Sequence, residues 1–216
     1  MPSTPMTAWP AIRSSTPGRT DRRRLLAWLG AAAASAMLPR GAMALDSEGA
    51  RRLIQTSLAE VYSVIDSGRP PAQMYRDFEQ IFVRYADVDI IARSALGPPA
   101  RQIGAGQMDA YRNAFQGYIG RKYGKRFREF AGSRIEVGEA RPLKSFFAVS
   151  STAYLNGRAP MDVEWHVSDR SGRDLFFNII IEGVNMLASE RAEIAAMLAR
   201  RRGDMAALTA DLQQAG

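Results

Sequence analysis

Between positions 45 and 130 the apolar residues recur every three or four places, the repeat of an amphipathic helix rather than a strand. Residues 47–67 carry Leu53, Ile54, Leu58, Val61, Tyr62 and Ile65 on this spacing, and Ser67-Gly68 stops the run ahead of Pro70-Pro71. A second helix is predicted from Pro71, with Met74, Phe78, Ile81 and Phe82 on one face. Asp87 is placed to accept the free N–H groups of a short third helix, which Gly97-Pro98-Pro99 ends. A long helix is predicted over residues 106–130. Its apolar stripe of Met108, Tyr111, Phe115, Tyr118, Ile119, Tyr123, Phe127 and Phe130 is rich in aromatic rings, and Arg112, Arg121, Lys125 and Arg128 occupy the opposite face.

After Gly132 the repeat shortens to about two residues, the signature of sheet. Ile135-Glu136-Val137 opens it, and residues 145–155 form a longer β-rich run ending at the turn signal Asn156-Gly157. Met161, Val163, Trp165 and Val167 alternate with Asp162, Glu164, His166 and Ser168, predicting one buried and one wet face. Ser171-Gly172 marks the next turn. Residues 175–181 are apolar on both faces apart from Asn178, as expected of a covered central strand. Two closing helices are expected over 184–201 and 204–213, separated by Gly203. The predicted class is α+β: N-terminal helices, a four-stranded antiparallel meander, C-terminal helices, and an apolar cavity between the curved sheet and the long aromatic helix.

Residues 1–44 read differently. Asp21-Arg22-Arg23-Arg24-Leu25-Leu26 runs into the apolar stretch 27–38 and ends at Ala42-Met43-Ala44, the layout of a cleaved, twin-arginine-like export signal. The apolar stretch falls short of the ~20 residues that span a bilayer. The expectation is an export signal over 1–44 and a single domain over 45–216, located in the periplasm. Of the 29 basic and 22 acidic residues, six arginines and one acid lie in 1–44, so the remainder carries a net charge of only +2. The high isoelectric point therefore does not point to nucleic acid. No cysteine is present, which removes disulfides, thiolate metal sites and cysteine nucleophiles.

Little else suggests catalysis. His166 is the only histidine and is read as an exposed residue of a polar strand face; no nucleophile elbow accompanies it. Asp87 and Asp89 are read as helix-start residues rather than an acid–base pair. No metal-ligand cluster and no phosphate-cradling glycine loop is expected. Arg121, Lys122, Lys125, Arg126 and Arg128, interleaved with Tyr123 and Phe127, are read as a solvated helix face or as a surface for anionic headgroups or a membrane-bound partner.

Several segments resemble one family, the periplasmic phospholipid carriers of the Mla (maintenance of lipid asymmetry) pathway, also called toluene-tolerance auxiliary transport proteins. The similarity covers roughly residues 65–212. Residues 78–93 followed by Leu96-Gly97 resemble the family's aromatic-x-Asp helix entry and Leu-Gly turn. Gln107, Phe115 and Lys122-Tyr123-Gly124 fit its long helix, and Ile181-Glu182-Gly183-Val184-Asn185 fits its Ile-Glu-Gly-Val-Ser signature, with Arg191 in the final helical region. Asn185 stands where the family has serine, and Asp174, Leu175 and Asn178 occupy the stretch where it has Trp-Lys-hydrophobic ahead of an Asp.

The resemblance implies a soluble, monomeric, non-enzymatic lipid carrier without cofactor or metal. It would bury the acyl chains of a phospholipid and pass the lipid between inner- and outer-membrane complexes of an ABC-type transport system. A carrier of a polycyclic, hopanoid-like lipid and a cone-shaped α+β enzyme on a small apolar substrate, with Asp174, Asn178 and His166 as its late-strand candidates, are the alternatives. Two tails hold ~30 methylenes, whose exposure at ~0.8 kcal/mol each costs on the order of 24 kcal/mol. They call for an enclosed pocket toward the upper end of the usual ~300–1,000 Å³. The expected lining is Phe115 and Ile119 of the long helix, with Phe147, Val149, Val163, Trp165, Phe177 and Ile179 of the sheet.

Overall fold

The computed structural model describes residues 45–127 and 132–216. The predicted export signal, Arg128 and Phe130 lie outside the described residues, as does the side chain of Phe127. Helix α1 (Ser47–Ile65) is capped by Asp46, whose carboxylate accepts from Gly49 N at 2.6 Å. Helix α2 (Pro71–Tyr85) starts on proline, whose missing N–H costs nothing in the first turn. Helix α3 (Val88–Leu96) is capped by Asp87, which accepts from Ile90 N at 3.1 Å and from the Ser171 hydroxyl. The Asp87 backbone N–H donates to Phe176 O at 2.8 Å, so the cap also ties α3 to the sheet. A 3₁₀ turn (Pro98–Arg101) leads into the long helix α4 (Ala105–Phe127).

The sheet is an antiparallel meander of β1 (Arg134–Leu143), β2 (Phe146–Tyr154), β3 (Met161–Ser168), β4 (Leu175–Ile181) and β5 (Val184–Asn185), in that order. The fifth strand corrects the expected four. Glu182 and Gly183 both take positive φ, 49° and 76°, which folds Val184 back to pair with Ile181 in a two-residue hairpin. Helix α5 (Met186–Arg200) therefore starts two residues later than expected, with Asn185 accepting from Ala188 N at its cap. Helix α6 (Met205–Gln214) follows, capped by Asp204.

The alternation in β3 also breaks. One extra residue in β4 opposes the step from His166 to Val167, a bulge that turns the end of the polar face inward. Ser168 is buried. His166 is not an exposed residue: its ring packs against Phe146 at 4.5 Å and Phe177 at 5.7 Å, and Glu164 lies 3.0 Å from its Nε2.

Helix α1 packs on β1, α3 and α5 pack on β4, and α4 packs on α2 and α6. The basic face of α4 is partly tied down rather than solvated. Arg121 donates to Leu212 O and Ala215 O at the C-terminus of α6, and Lys122 reaches Glu190 and Glu193 of α5. Glycine inside a helix costs about 1 kcal/mol relative to alanine, and α4 carries it where α2 comes closest. A Cβ at Gly120 would lie 2.9 Å from Glu79 Cβ and 3.2 Å from its Cα, and one at Gly124 would lie 2.7 Å from the Tyr75 ring.

Gly106, on the same helix, has open space where its Cβ would be. Gly106→Ala is expected to raise stability by about 0.5–1 kcal/mol, whereas Gly120→Ala, forced against backbone, lowers it by about 1–3 kcal/mol. Denaturant midpoints of the two variants against the parent measure the difference.

Candidate functional site

A cavity of about 450 Å³ lies between the sheet and helices α1, α2 and α4. Its floor follows from strand register. Val163 pairs with Ile181 and Trp165 with Ile179, so these four side chains share one face, extended by Ile135 and Ala153. Helix α1 supplies Leu58, Val61 and Tyr62, α2 supplies Phe78, Ile81 and Phe82, and α4 supplies Ile119 and Tyr123. The last turns of α1 and α4, the start of β3 and the β4–β5 hairpin converge at one end, where Ile65, Met161, Met186, exposed Val184 and exposed Arg126 line the space.

The hairpin is pinned to this end. Glu182 N donates to Asp162 O at 2.9 Å, and Asp162 N donates to the Glu182 carboxylate. Asn178, buried in an otherwise apolar strand, accepts from Leu187 N at 3.2 Å and so fixes the first turn of α5. One turn further on, Glu190 lines the cavity and is 4% exposed. Its Oε1 accepts from Lys122 Nζ at 2.7 Å and from Tyr123 Oη at 2.5 Å. Burial and the neighbouring Glu190 charge push the Tyr123 phenol well above its ordinary pKa, so the hydroxyl stays a donor.

Of the residues expected on the lining, Ile119, Val163, Trp165, Phe177 and Ile179 are on the cavity wall. Phe115 and Val149 are fully buried in the solid part of the core with Val167, and half-buried Phe147 packs against that core. Alternation assigns a face to these three but does not say where along the strand the open space ends. The residues from α1 and α2 were legible as helix stripes but not as cavity wall. Glu190 carried no sequence signal beyond its charge, and Arg126 was legible only as part of the basic face of α4. His166 is not on the wall, and Asp174 is exposed before β4, its carboxyl raised by partial burial and by Asp169 and Asp46. Among the described residues no group of three or more acidic or histidine side chains is placed to hold a metal ion, and no helix is long and apolar enough to cross a membrane.

Residues 55–214 match the family described as MlaC protein. The fold is similar to that of a phospholipid-binding protein from Ralstonia solanacearum, solved in complex with a phospholipid. The TM-score is 0.65 at 19% sequence identity, covering 76% of this chain and 95% of that one.

The Lys122 group generates a pH prediction. Burial alone would raise the Glu193 carboxyl, but the hydrogen bond and charge of Lys122 outweigh it and hold the group below its ordinary value. A depressed carboxyl stabilises the fold above its unfolded pKa and loses that contribution as pH falls through the lower folded value. Lys122→Ala is expected to cost about 2–3 kcal/mol at pH 7, because Glu190 stays buried without its cation. The gap to the parent narrows below about pH 4, near the unfolded glutamate pKa. Urea unfolding of both proteins at the two pH values checks it.

Proposed function

The chain belongs to the MlaC family, and from that premise we propose that it is a lipid carrier of the periplasm, exported by residues 1–44 and passing phospholipid between transport complexes of the inner and outer membranes. The observation that carries this reading is the apolar cavity between sheet and helices. Its wall offers hydrocarbon a place out of water, and the lone histidine packs against Phe146 and Phe177 away from it. Transfer then needs no bond chemistry. It requires states of the pocket that differ in affinity, biased by whichever membrane complex is engaged.

The volume sets how much of the cargo is enclosed. It lies in the lower half of the expected range, and at ~30 Å³ for a water-sized group its 450 Å³ takes about 15 methylenes, one tail's worth. A second tail of a two-chain lipid lies toward the apolar rim of Ile65, Met161, Val184 and Met186, or is admitted by movement of the helices over the sheet. The large rings of Trp165, Phe78 and Phe82 occupy the space that a wider pocket would have.

Protein purified from the periplasm is expected to begin near Leu45 and to release about one lipid per chain on organic extraction, with mass spectrometry separating phospholipid from polycyclic lipid. Well-folded protein carrying only trace lipid sinks the proposal. Once residues 1–44 are removed, Trp165 is the sole tryptophan and lines the cavity. A phospholipid brominated along its acyl chain should therefore quench most of the tryptophan emission, and one brominated only at the headgroup should quench little.

A further inference from the structure

We infer that His166 and Asn178 form a proton-operated latch on the first turn of helix α5, which acid releases at the mouth of the pocket. A proton on His166 Nδ1 and the bond by which Asn178 holds that turn exclude one another. The latch stands on its own geometry; its effect on cargo rests on the carrier reading.

Strand register sets Arg141, Ala148, His166 and Asn178 in one row across β1 to β4. Leu187 N can only donate, so Asn178 must turn its carbonyl oxygen to it, at 3.2 Å. The Asn178 amide nitrogen then faces His166, 3.5 Å from Nδ1. Two donors cannot share that contact. Nδ1 is therefore the bare, accepting nitrogen, and the ring proton sits on Nε2, where Glu164 takes it at 3.0 Å. A second proton would go to Nδ1 and set an N–H against the Asn178 NH2. Turning the amide over would satisfy the imidazolium but leave Leu187 N, at the start of a helix, facing a donor. One of the two bonds is lost in either arrangement.

The surroundings leave the imidazole as the group that responds. The charges beside the ring are Glu164 on its own strand and Arg141 on β1, themselves paired at 2.8 Å. From β2 the ring meets Phe146 and Ala148, from β4 Phe177 and Asn178, and residues 186–189 open α5 without a charge. Burial alone would raise the Glu164 carboxyl, but hydrogen bonds from His166 and Arg141 outweigh it and hold the group below its ordinary value. It stays an anion where imidazoles take their proton. The His166 side chain is 12% exposed, so protons reach it from solvent. Glu164 thus favours the cation, Asn178 opposes it, and the bond that gives way is the one to α5. Met186 and Leu187 of that first turn line the cavity. Because a proton binds the unlatched form more tightly than the latched one, lowering the pH populates the unlatched form and lipid leaves faster.

The test uses protein processed from the full-length chain and purified without a histidine tag, in which His166 is the only imidazole. At pH 7.5, long-range nitrogen–proton NMR spectra should show the Nε2–H tautomer. The Leu187 amide, corrected for intrinsic exchange, should be about tenfold less protected at pH 5.5 than at pH 7.5, the worth of one hydrogen bond. A phospholipid brominated along its tail, passing from the protein to excess phosphatidylcholine vesicles, is followed by recovery of Trp165 emission and should leave about tenfold faster at pH 5.5. His166→Phe has no proton to take. In Asn178→Asp the carboxylate accepts from Leu187 N and from the imidazolium together. Both variants should lose the pH dependence, and Asn178→Asp, which keeps the size of the side chain, carries the test if the phenylalanine variant fails to fold. An Nδ1–H tautomer at pH 7.5, protection at Leu187 that does not change with pH, a release rate indifferent to pH, or a pH dependence that survives in either variant overturns the inference. A parent protein that takes up no phospholipid overturns the carrier reading instead, while tautomer and exchange still decide the latch.

Discussion

A hydrocarbon-lined space inside a protein has to be held open against the force that folds the protein. At ~24 cal/mol per Å³ of apolar void, a cavity of 450 Å³ left without apolar contents corresponds to on the order of 10 kcal/mol, as large as the whole stability of an ordinary domain. Two things make it tenable. One is contents, which is the physical case for a greasy cargo. The other is walls that cannot move in. The floor is a hydrogen-bonded sheet, and the helix facing it is fixed by its neighbours: α4 meets α2 at Gly120 and Gly124, grips the end of α6 through Arg121, and reaches α5 through Lys122.

Most of the architecture was legible because local chemistry and tertiary structure agree. The stripe from Ile54 to Ile65, proline at the start of α2, Asp87 as a cap, and the change of period at Gly132 each specify the element that forms. The misreadings fall where a residue's partner is remote in sequence. Glu182 takes positive φ because Asp162, twenty residues away, holds both its N–H and its carboxylate. His166 is covered because of an extra residue on the neighbouring strand. Arg121 and Lys122 look solvated on a helical wheel, yet α5 and α6 lie across them. Asn185 stands where the resembled signature has serine, and the exchange is without consequence for the helix, since either residue caps well.

The site was legible as a face and not as a volume. Alternation in β3 and β4 puts Val163, Trp165 and Ile179 on the inner surface, and helical period does the same for Ile119. Val149 and Phe115 satisfy the same rules equally well but lie where helix and sheet close on each other, both fully buried. Period says which way a side chain points. How far away the opposing wall stands is set by side-chain sizes on helices distant in sequence, such as Phe78 and Phe82 on α2.

The polar elements of the site are linked through one residue. Asn178 is the single polar side chain of β4, buried where a valine or isoleucine would serve the sheet better. Its carbonyl oxygen accepts from Leu187 N, one of the donors a helix start leaves free, so the position and rotation of α5 are referenced to the floor of the cavity rather than to solvent. With that turn fixed, the residue three places on from Leu187 falls on the face turned to the cavity and to α4, and that residue is Glu190. An apolar residue at 178 would leave the fold's packing intact and release α5 from this reference. The carboxylate, its lysine and its tyrosine would then lose their alignment with the pocket. The one hydrophilic side chain in an otherwise greasy strand is thus what allows an apolar cavity to present a polar residue at a defined place in its wall.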